Sequence, residues 1–356
     1  MPGDRDSLRR RTEELIAIAS VSGGEREIAD RLESFARGLP GEVTRVSHSI
    51  VHRAPRRGRP QLVLAGHLDT VPAQGNERPR LEGDRLYGLG ACDMKGGIAV
   101  AMALAEELAA AASRFDCTWV YYECEEVALS RNGMRLLWDP CPWLAQADLA
   151  ILMEPTACAV ELGCQGTLHA EITAVGRSAH SARPWLGDNA VYKALPLLQE
   201  LASREPAPVE LDGVIYRETV AVTEAHAGQG RNVIPAAFTL NVNFRYAPHR
   251  TPEEASAVAR SWAPPGFRVE VVDVAPPAAP RRCHPMVAEF TSRFGLEVRA
   301  KQGWTDVAQF AERGVPAFNF GPGDPNLAHR SDEFVPLADL ETAYSALSAF
   351  VRAEPV

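Results

Sequence analysis

The sequence predicts an α/β protein, a mixed sheet flanked by helices, into which a smaller α+β domain is inserted. Three observations carry that prediction. The short apolar runs Leu62-Val63-Leu64-Ala65, Thr118-Trp119-Val120-Tyr121-Tyr122 and Leu149-Ala150-Ile151-Leu152-Met153 have the length of strands buried on both faces, with helical or polar stretches between them. From about Cys164 the pattern changes to strands of alternating polarity. A proline-rich stretch, Ala275-Pro276-Pro277-Ala278-Ala279-Pro280, then returns the chain to helix, strand and terminal helix. The division implied is a discontinuous first domain, 1–163 and 276–356, and an insert, 164–275.

Taken in order, apolar residues at helical spacing (Leu8, Leu15, Ile16, Ile18) predict a helix over Asp6–Ala19, which Gly23-Gly24 ends. A second amphipathic helix covers Arg26–Ala36, and alternation predicts a strand over Gly41–Val51. The buried strand that starts at Gln61 runs straight into Gly66-His67-Leu68-Asp69-Thr70. A polar loop, Gln74–Gly83, and an alanine-rich helix, Gly96–Ala112, follow. In the insert, strands are expected over Leu168–Val175, Val220–Ala225, Phe238–Arg245 and Arg268–Val274, and helices over Ala190–Leu201 and Pro252–Trp262. Beyond it come a helix, Pro285–Phe294, a strand, Val315–Phe320, and a last helix, Leu337–Ala353.

With 356 residues, 46% of them hydrophobic, the chain has material for two cores. A formal charge of −9 argues against a nucleic-acid surface. The one dense basic run, Arg53–Arg59, is broken by Pro55 and Gly58 and reads as an exposed loop. No apolar stretch approaches the ~20 residues of a membrane span, and the start lacks a signal pattern, so the expectation is a soluble, cytoplasmic protein without a membrane partner. Seven cysteines without Cys-x-x-Cys spacing suggest buried free thiols rather than a disulfide framework or a thiolate zinc site.

The chemistry gathers where strands end. His67 stands at the carboxyl end of a buried strand, where open α/β sheets bind ligands, with Asp69 two residues on to fix its tautomer. A strand-end His–Asp hydrogen bond without a metal is the alternative. Asp93 follows Gly88-Leu89-Gly90 on a tight turn; a dinucleotide loop is the competitor, but it lacks the third glycine in phase. Glu125 and Glu126 end the aromatic strand, and neighbouring carboxylates repel unless something positive joins them. Consecutive extended residues point to opposite sides, so one can serve a metal and the other a water; a solvated acidic turn is the bland reading. Glu154 ends the next strand. Carboxylates converging with a histidine make a site for zinc first, manganese or cobalt second, and one aspartate can bridge two ions.

Gly66-His67-Leu68-Asp69-Thr70-Val71-Pro72, Ala91-Cys92-Asp93-Met94-Lys95-Gly96-Gly97, Glu125-Glu126 and Met153-Glu154-Pro155 resemble, in order, the motifs of the dinuclear zinc M20-type peptidase and deacylase family, whose members include aminoacylases, carboxypeptidases and desuccinylases. The resemblance covers essentially the whole chain. It implies a zinc-peptidase-like catalytic domain with an inserted dimerisation or lid domain, and a homodimer. It also implies two Zn2+, with Co2+ or Mn2+ as substitutes: one held by His67, Asp93 and Glu154, the other by Asp93, Glu126 and His329. Asp69 would orient His67, and Glu125 would be the general base. His180, in Gly176–Pro184, would reach the partner subunit's site and stabilise the oxyanion. Arg183, Asn232, Arg245 and Thr305 would contact substrate, with Arg245 suited to a carboxylate and a structural ion pair as its alternative.

Gly163–Thr167, Ser181–Asn189 and Gly303–Asp306 look most like the actinobacterial desuccinylase branch, which implies removal of succinate from N-succinyl-LL-2,6-diaminopimelate. Other desuccinylases carry paired arginines where Cys164-Gln165 stands. An N-acetylornithine-type or secondary-pathway deacylase, or a carboxypeptidase, fits the same metal pair, and a catalytically silent metal-binding dimer is the reading from a different class.

Overall fold

The computed structural model describes residues 2–228 and 230–352, which form two compact units. The first comprises the chain up to Leu162, Arg281–Arg299 and the part from Gln309 onward; the second comprises Gly163–Pro280 and Ala300–Ala308. Gly163 and the stretches 276–280 and 300–308, which the sequence placed in the first domain, lie with the second unit.

The first unit is built on an eight-stranded mixed sheet in the order 42–46, 49–53, 116–122, 61–67, 149–152, 317–319, 160–162, 298–300. Its centre is parallel: Gln61–His67 lies between Asp116–Tyr122 and Leu149–Leu152, and Ala317–Asn319 continues beyond. Every residue of 116–122 and 149–152 is buried, as uninterrupted apolar runs require. Helices Arg5–Ala17, Gly96–Ala110 and Leu337–Arg352 pack on one another beside this sheet. Phe290, on the helix Pro285–Phe294, meets Phe318, Phe320 and Phe350 with ring centroids 5.0–5.2 Å apart.

The second unit is a five-stranded antiparallel sheet in the order 207–211, 214–227, 237–246, 166–175, 268–275. Leu168, Ala170, Ile172 and Ala174 alternate inward and pack with Leu240, Val242 and Phe244 against Leu197, Ala255 and Trp262 of the covering helices. Period-two alternation turns Thr167, His169, Thr173, Asn241, Asn243 and Arg245 to the other face.

Three local expectations need correction. Gly41–Val51 is a hairpin, Glu42–Val46 against Ser49–Arg53, because Ser47 takes a left-handed turn at φ 53°. Ala190–Leu201 is two helices, since Pro196 has no N–H to continue the ladder and opens the second one instead. The loop Gln74–Gly83 contains a strand, Arg80–Glu82, in a small sheet with Arg85–Tyr87 and Phe334–Pro336. The last helix is described to Arg352, and the expected terminal residue Ala353 lies outside the described residues. Among the described residues no helix is long and apolar enough to cross a membrane.

Two glycines let backbone close on the strand end that carries Glu154. A Cβ at Gly97 would collide with the Met153 carbonyl, and one at Gly321 would lie 2.5 Å from that oxygen and 2.6 Å from the Glu154 carbonyl. Gly97→Ala is therefore expected to cost about 1–3 kcal/mol in urea unfolding. Gly303→Ala, where a Cβ meets nothing within 4 Å, is expected to stay within about 0.5 kcal/mol of wild type.

Candidate metal centre

Parallel strands deliver the site. His67 is the last residue of the central strand and only 2% exposed. Its Nδ1 donates to the Asp69 carbonyl oxygen at 3.0 Å, while the Asp69 carboxylate stands 3.5 Å away. The sequence assigned the orienting bond to the carboxylate; the shorter contact is to the backbone oxygen, which equally leaves Nε2 to face the site. The Asp69 carboxylate accepts instead from the backbone N–H of Glu125 (2.9 Å) and of Glu126 (3.0 Å) and from the Ser22 hydroxyl (2.7 Å).

Asp93 lies in the turn between Gly90 and the helix Gly96–Ala110, with φ −118° and ψ 90°. Glu333 holds that turn. Its buried carboxylate accepts from the N–H groups of Gly90 (3.0 Å), Cys92 (2.9 Å) and Asp93 (3.1 Å). Lys95, also buried, donates to the Ile18 carbonyl at 2.8 Å, and burial pushes its pKa down to about 8.

The Asp93 carboxylate faces two imidazoles with separate oxygens. Oδ1 is 3.0 Å from His67 Nε2, and Oδ2 is 3.6 Å from His329 Nε2. His329 Nε2 also donates to Glu126 Oε1 at 2.8 Å. His329 has φ 64°, and Gln74 Nε2 donates to its carbonyl at 3.0 Å. Ligand atoms of His67, Asp93 and Glu126 lie within 4.8 Å of one another. Glu154, 5% exposed, is not in that group of three; it directly follows Met153, whose N–H donates to the Ala65 carbonyl beside His67. Glu125 is half-buried on the same amide clamp as Glu126.

Electrostatics match a cation site. Burial disfavours the His67 imidazolium, yet the adjacent carboxylates of Asp69 and Asp93 outweigh it and hold the pKa well above the usual imidazole value. Hydrogen bonds to Asp93 and Glu126 raise His329 to about 10. Burial pushes Asp93 up, but its bonds to His329 and His67 win and keep it below the ordinary carboxylate range. Asp69 is likewise depressed, burial being outweighed by His67 and Ser22. The surrounding carboxylates thus favour positive charge at both imidazoles. Divalent cations compete for the same nitrogens, and an all-oxygen-and-imidazole donor set suits zinc, cobalt or manganese.

The remaining expected residues belong to the second unit. His180, Arg183 and Asn232 come together on two paired segments: His180 bridges Val233, Ser181 N–H donates to the Asn232 carbonyl at 2.9 Å, and Arg183 N–H to the His180 carbonyl at 2.8 Å. His180 Nδ1 accepts from Ala182 N–H at 3.1 Å, which leaves the proton on Nε2. Arg245 sits on the polar face of the sheet, its Nε donating to Asn243 Oδ1 at 3.2 Å, and burial lowers its pKa. Thr305 is buried and its carbonyl accepts from the Cys164 thiol. Gln165, where paired arginines were considered, donates to the Arg217 carbonyl at 2.7 Å.

Sequence reasoning assigned no role to Ser22, Lys95 or Glu333. A glutamate four residues after the expected ligand His329 was a signal for Glu333; a lone serine before two glycines was none.

The chain matches the profile of the Peptidase family M20/M25/M40 over residues 63–353. It is 41% identical over 350 residues to a succinyl-diaminopimelate desuccinylase of Corynebacterium glutamicum, covering 96% of this chain and 95% of that one. A tripeptidase from Staphylococcus aureus has the same fold at TM-score 0.79 and 20% identity, with 98% of each chain covered. So does a dinuclear metal-binding M20 peptidase from Bacillus subtilis, at TM-score 0.68 and 17% identity, again over 98% of each chain. With motifs, fold and full-length identity in agreement, this chain is a metal-dependent amide hydrolase that belongs to peptidase family M20/M25/M40.

Proposed function

We propose that the chain hydrolyses N-succinyl-LL-2,6-diaminopimelate to succinate and LL-2,6-diaminopimelate, a cytoplasmic step of lysine and peptidoglycan synthesis. The observation that carries the hydrolytic site is Asp93, which offers one oxygen to the His67 side and the other to the His329 side. The substrate rests on the near full-length similarity to the Corynebacterium glutamicum desuccinylase.

In this reading His67, Asp93 and Glu154 hold one zinc ion and Asp93, Glu126 and His329 the other. Bound there, the ions supply Lewis-acid polarisation and a water of lowered pKa. Glu125 takes the proton of the attacking water on its carboxylate and returns it to the nitrogen of the leaving amine. Asp69 keeps Glu125 and Glu126 in place through their amides. Nε2–H of His180 of the partner subunit donates to the developing oxyanion. Arg245 pairs with a substrate carboxylate through its guanidinium, and Arg183, Asn232 and Thr305 complete the substrate contacts.

A homodimer fits the second unit taken alone. Strand Val214–Ala227 pairs with Ala207–Leu211 only as far as Glu218, so among the described residues its outer edge from Thr219 onward has no partner strand. Nearby in sequence on the covering helices, Tyr192 is 69% and Leu195 48% exposed. A second copy covering that edge removes the hazard of a long open strand. Sedimentation at micromolar concentration is expected to give a dimer, and Thr223→Pro, which breaks the edge, is expected to give monomer.

Glu125→Gln is expected to lower kcat by about 10²–10⁴-fold with metal content unchanged; near-normal turnover would remove the base assignment. Purified protein is expected to release succinate from N-succinyl-LL-2,6-diaminopimelate, to lose that activity in chelator, and to regain it with Zn2+ or Co2+. N-acetylornithine, assayed beside it, is the second reading's substrate, favoured by the absence of paired arginines at Cys164-Gln165; faster turnover there would overturn the desuccinylase assignment.

A further inference from the structure

Three consecutive backbone N–H groups, those of Cys124 and of Glu125 and Glu126 themselves, follow the aromatic strand, and each ends on a buried carboxylate. Cys124 N–H donates to Glu25 Oε1 (3.1 Å), Glu125 N–H to Asp69 Oδ1 (2.9 Å) and Glu126 N–H to Asp69 Oδ2 (3.0 Å). The turn needs such a grip. Cys124 has φ 57°, a conformation that L side chains adopt rarely, and the chain has already left the strand, which ends at Tyr122. Glu25 is fully buried.

Both carboxylates are themselves tied to one loop. Gly23 N–H donates to Glu25 Oε1 at 2.8 Å, and Ser22 Oγ to Asp69 Oδ2 at 2.7 Å. That loop is fastened to the strand end by Ser22 N–H on the Thr70 carbonyl (3.2 Å) and Thr70 N–H on the Ser20 carbonyl (2.9 Å). Glu25 also stands at the N-terminus of the helix Arg26–Arg37, whose dipole favours a negative charge there.

We infer that Glu25, together with Ser22 acting through Asp69, is a positioning residue that sets the backbone from which Glu125 and Glu126 reach the reaction. This rests on the roles proposed for those two glutamates. A buried carboxylate is costly unless charge-assisted hydrogen bonds offset it, and here the bonds go to the peptide that carries the base. Rotation of that peptide displaces Glu125 and Glu126 together, and misplacement near 1 Å costs about 10²-fold in rate.

A rival use of the same residues is a third cation site, since ligand atoms of Glu25, Glu123 and Cys124 lie within 4.8 Å of one another. Most of the donors are already engaged, although the buried Glu25 Oε2 has no hydrogen-bond partner among the described residues, which is why metal per chain is read in the test below. Glu25 Oε1 takes two amides and the Cys124 thiol (3.4 Å), Ser47 Oγ donates to Glu123 Oε2 at 3.2 Å, and the Arg131 guanidinium stands 4.0 Å from Cys124 Sγ.

The test uses the full-length, cobalt-loaded protein and reads kcat, KM, metal per chain and the d–d absorption spectrum. Glu25→Ala is expected to lower kcat about 10–100-fold with KM within about threefold, and to alter the spectrum through Glu126. Glu25→Gln, which keeps an acceptor oxygen in place, is expected to recover most of kcat. Ser22→Ala, which removes only one hydroxyl behind Asp69, is expected to lower kcat by about 3–10-fold and answers the question should Glu25→Ala fail to fold. Wild-type kcat and spectrum in folded Glu25→Ala, or in Ser22→Ala where that variant alone folds, would overturn the inference. So would a third metal equivalent lost in Glu25→Ala, or Gln as inactive as Ala. Glu125→Gln, run in parallel, reports separately on the base itself.

Discussion

A carboxylate set between two imidazoles is the constraint from which the first unit follows. Asp93 faces His67 with one oxygen and His329 with the other, and those histidines come from opposite ends of the chain. Burial alone makes a charged Asp93 unfavourable, so its position has to be enforced by its surroundings. Glu333 does this by taking the amides of Gly90, Cys92 and Asp93, which fixes the turn and leaves the Asp93 carboxylate to the imidazoles. The last stretch of the chain therefore supplies both His329, which faces Asp93 and is proposed as a ligand, and the brace for the turn that carries Asp93.

The sheet does the rest through parallel order. Strands 116–122, 61–67 and 149–152 are neighbours running the same way, so the residues at their carboxyl ends, Glu125-Glu126, His67 and Glu154, emerge along one edge. Close approach at that edge requires residues without side chains. Gly97 and Gly321 meet the Met153–Glu154 backbone, which ties the start of the long helix and the end of strand 317–319 to the strand that carries Glu154.

Much of this was legible because it is written in local pattern. Buried parallel strands are continuous apolar runs, and residues such as His67, Asp93 and Glu154 stand at their ends or on the turns between them; the helix Pro285–Phe294 coincides with its apolar spacing and initial proline. What was not legible depends on long-range geometry or on a single backbone angle. Ser47 turns one expected strand into a hairpin at φ 53°, and Arg80–Glu82 becomes a strand only because Arg85–Tyr87 and Phe334–Pro336 pair beside it. The bond from His67 to the Asp69 carbonyl, rather than to its carboxylate, follows from the path of the chain after the strand, which composition does not encode.

The acidic residues make the same point about function. Glu126 and Asp93 turn their oxygens toward histidines, whereas Asp69, Glu25 and Glu333 together accept seven backbone amides, those of Gly23, Cys124, Glu125, Glu126, Gly90, Cys92 and Asp93, along with the Ser22 hydroxyl on Asp69 and the Cys124 thiol on Glu25.

 One set of carboxylates faces the imidazoles, and the other holds the backbone from which the first set projects. Charge-assisted bonds to amides are short and directional, so they can fix a peptide plane where packing of apolar groups alone would let it rock. Residue type cannot separate the two sets in the sequence, because each is aspartate or glutamate beside a glycine or a strand end. Only the partner of each oxygen does so, and that partner is set by the fold.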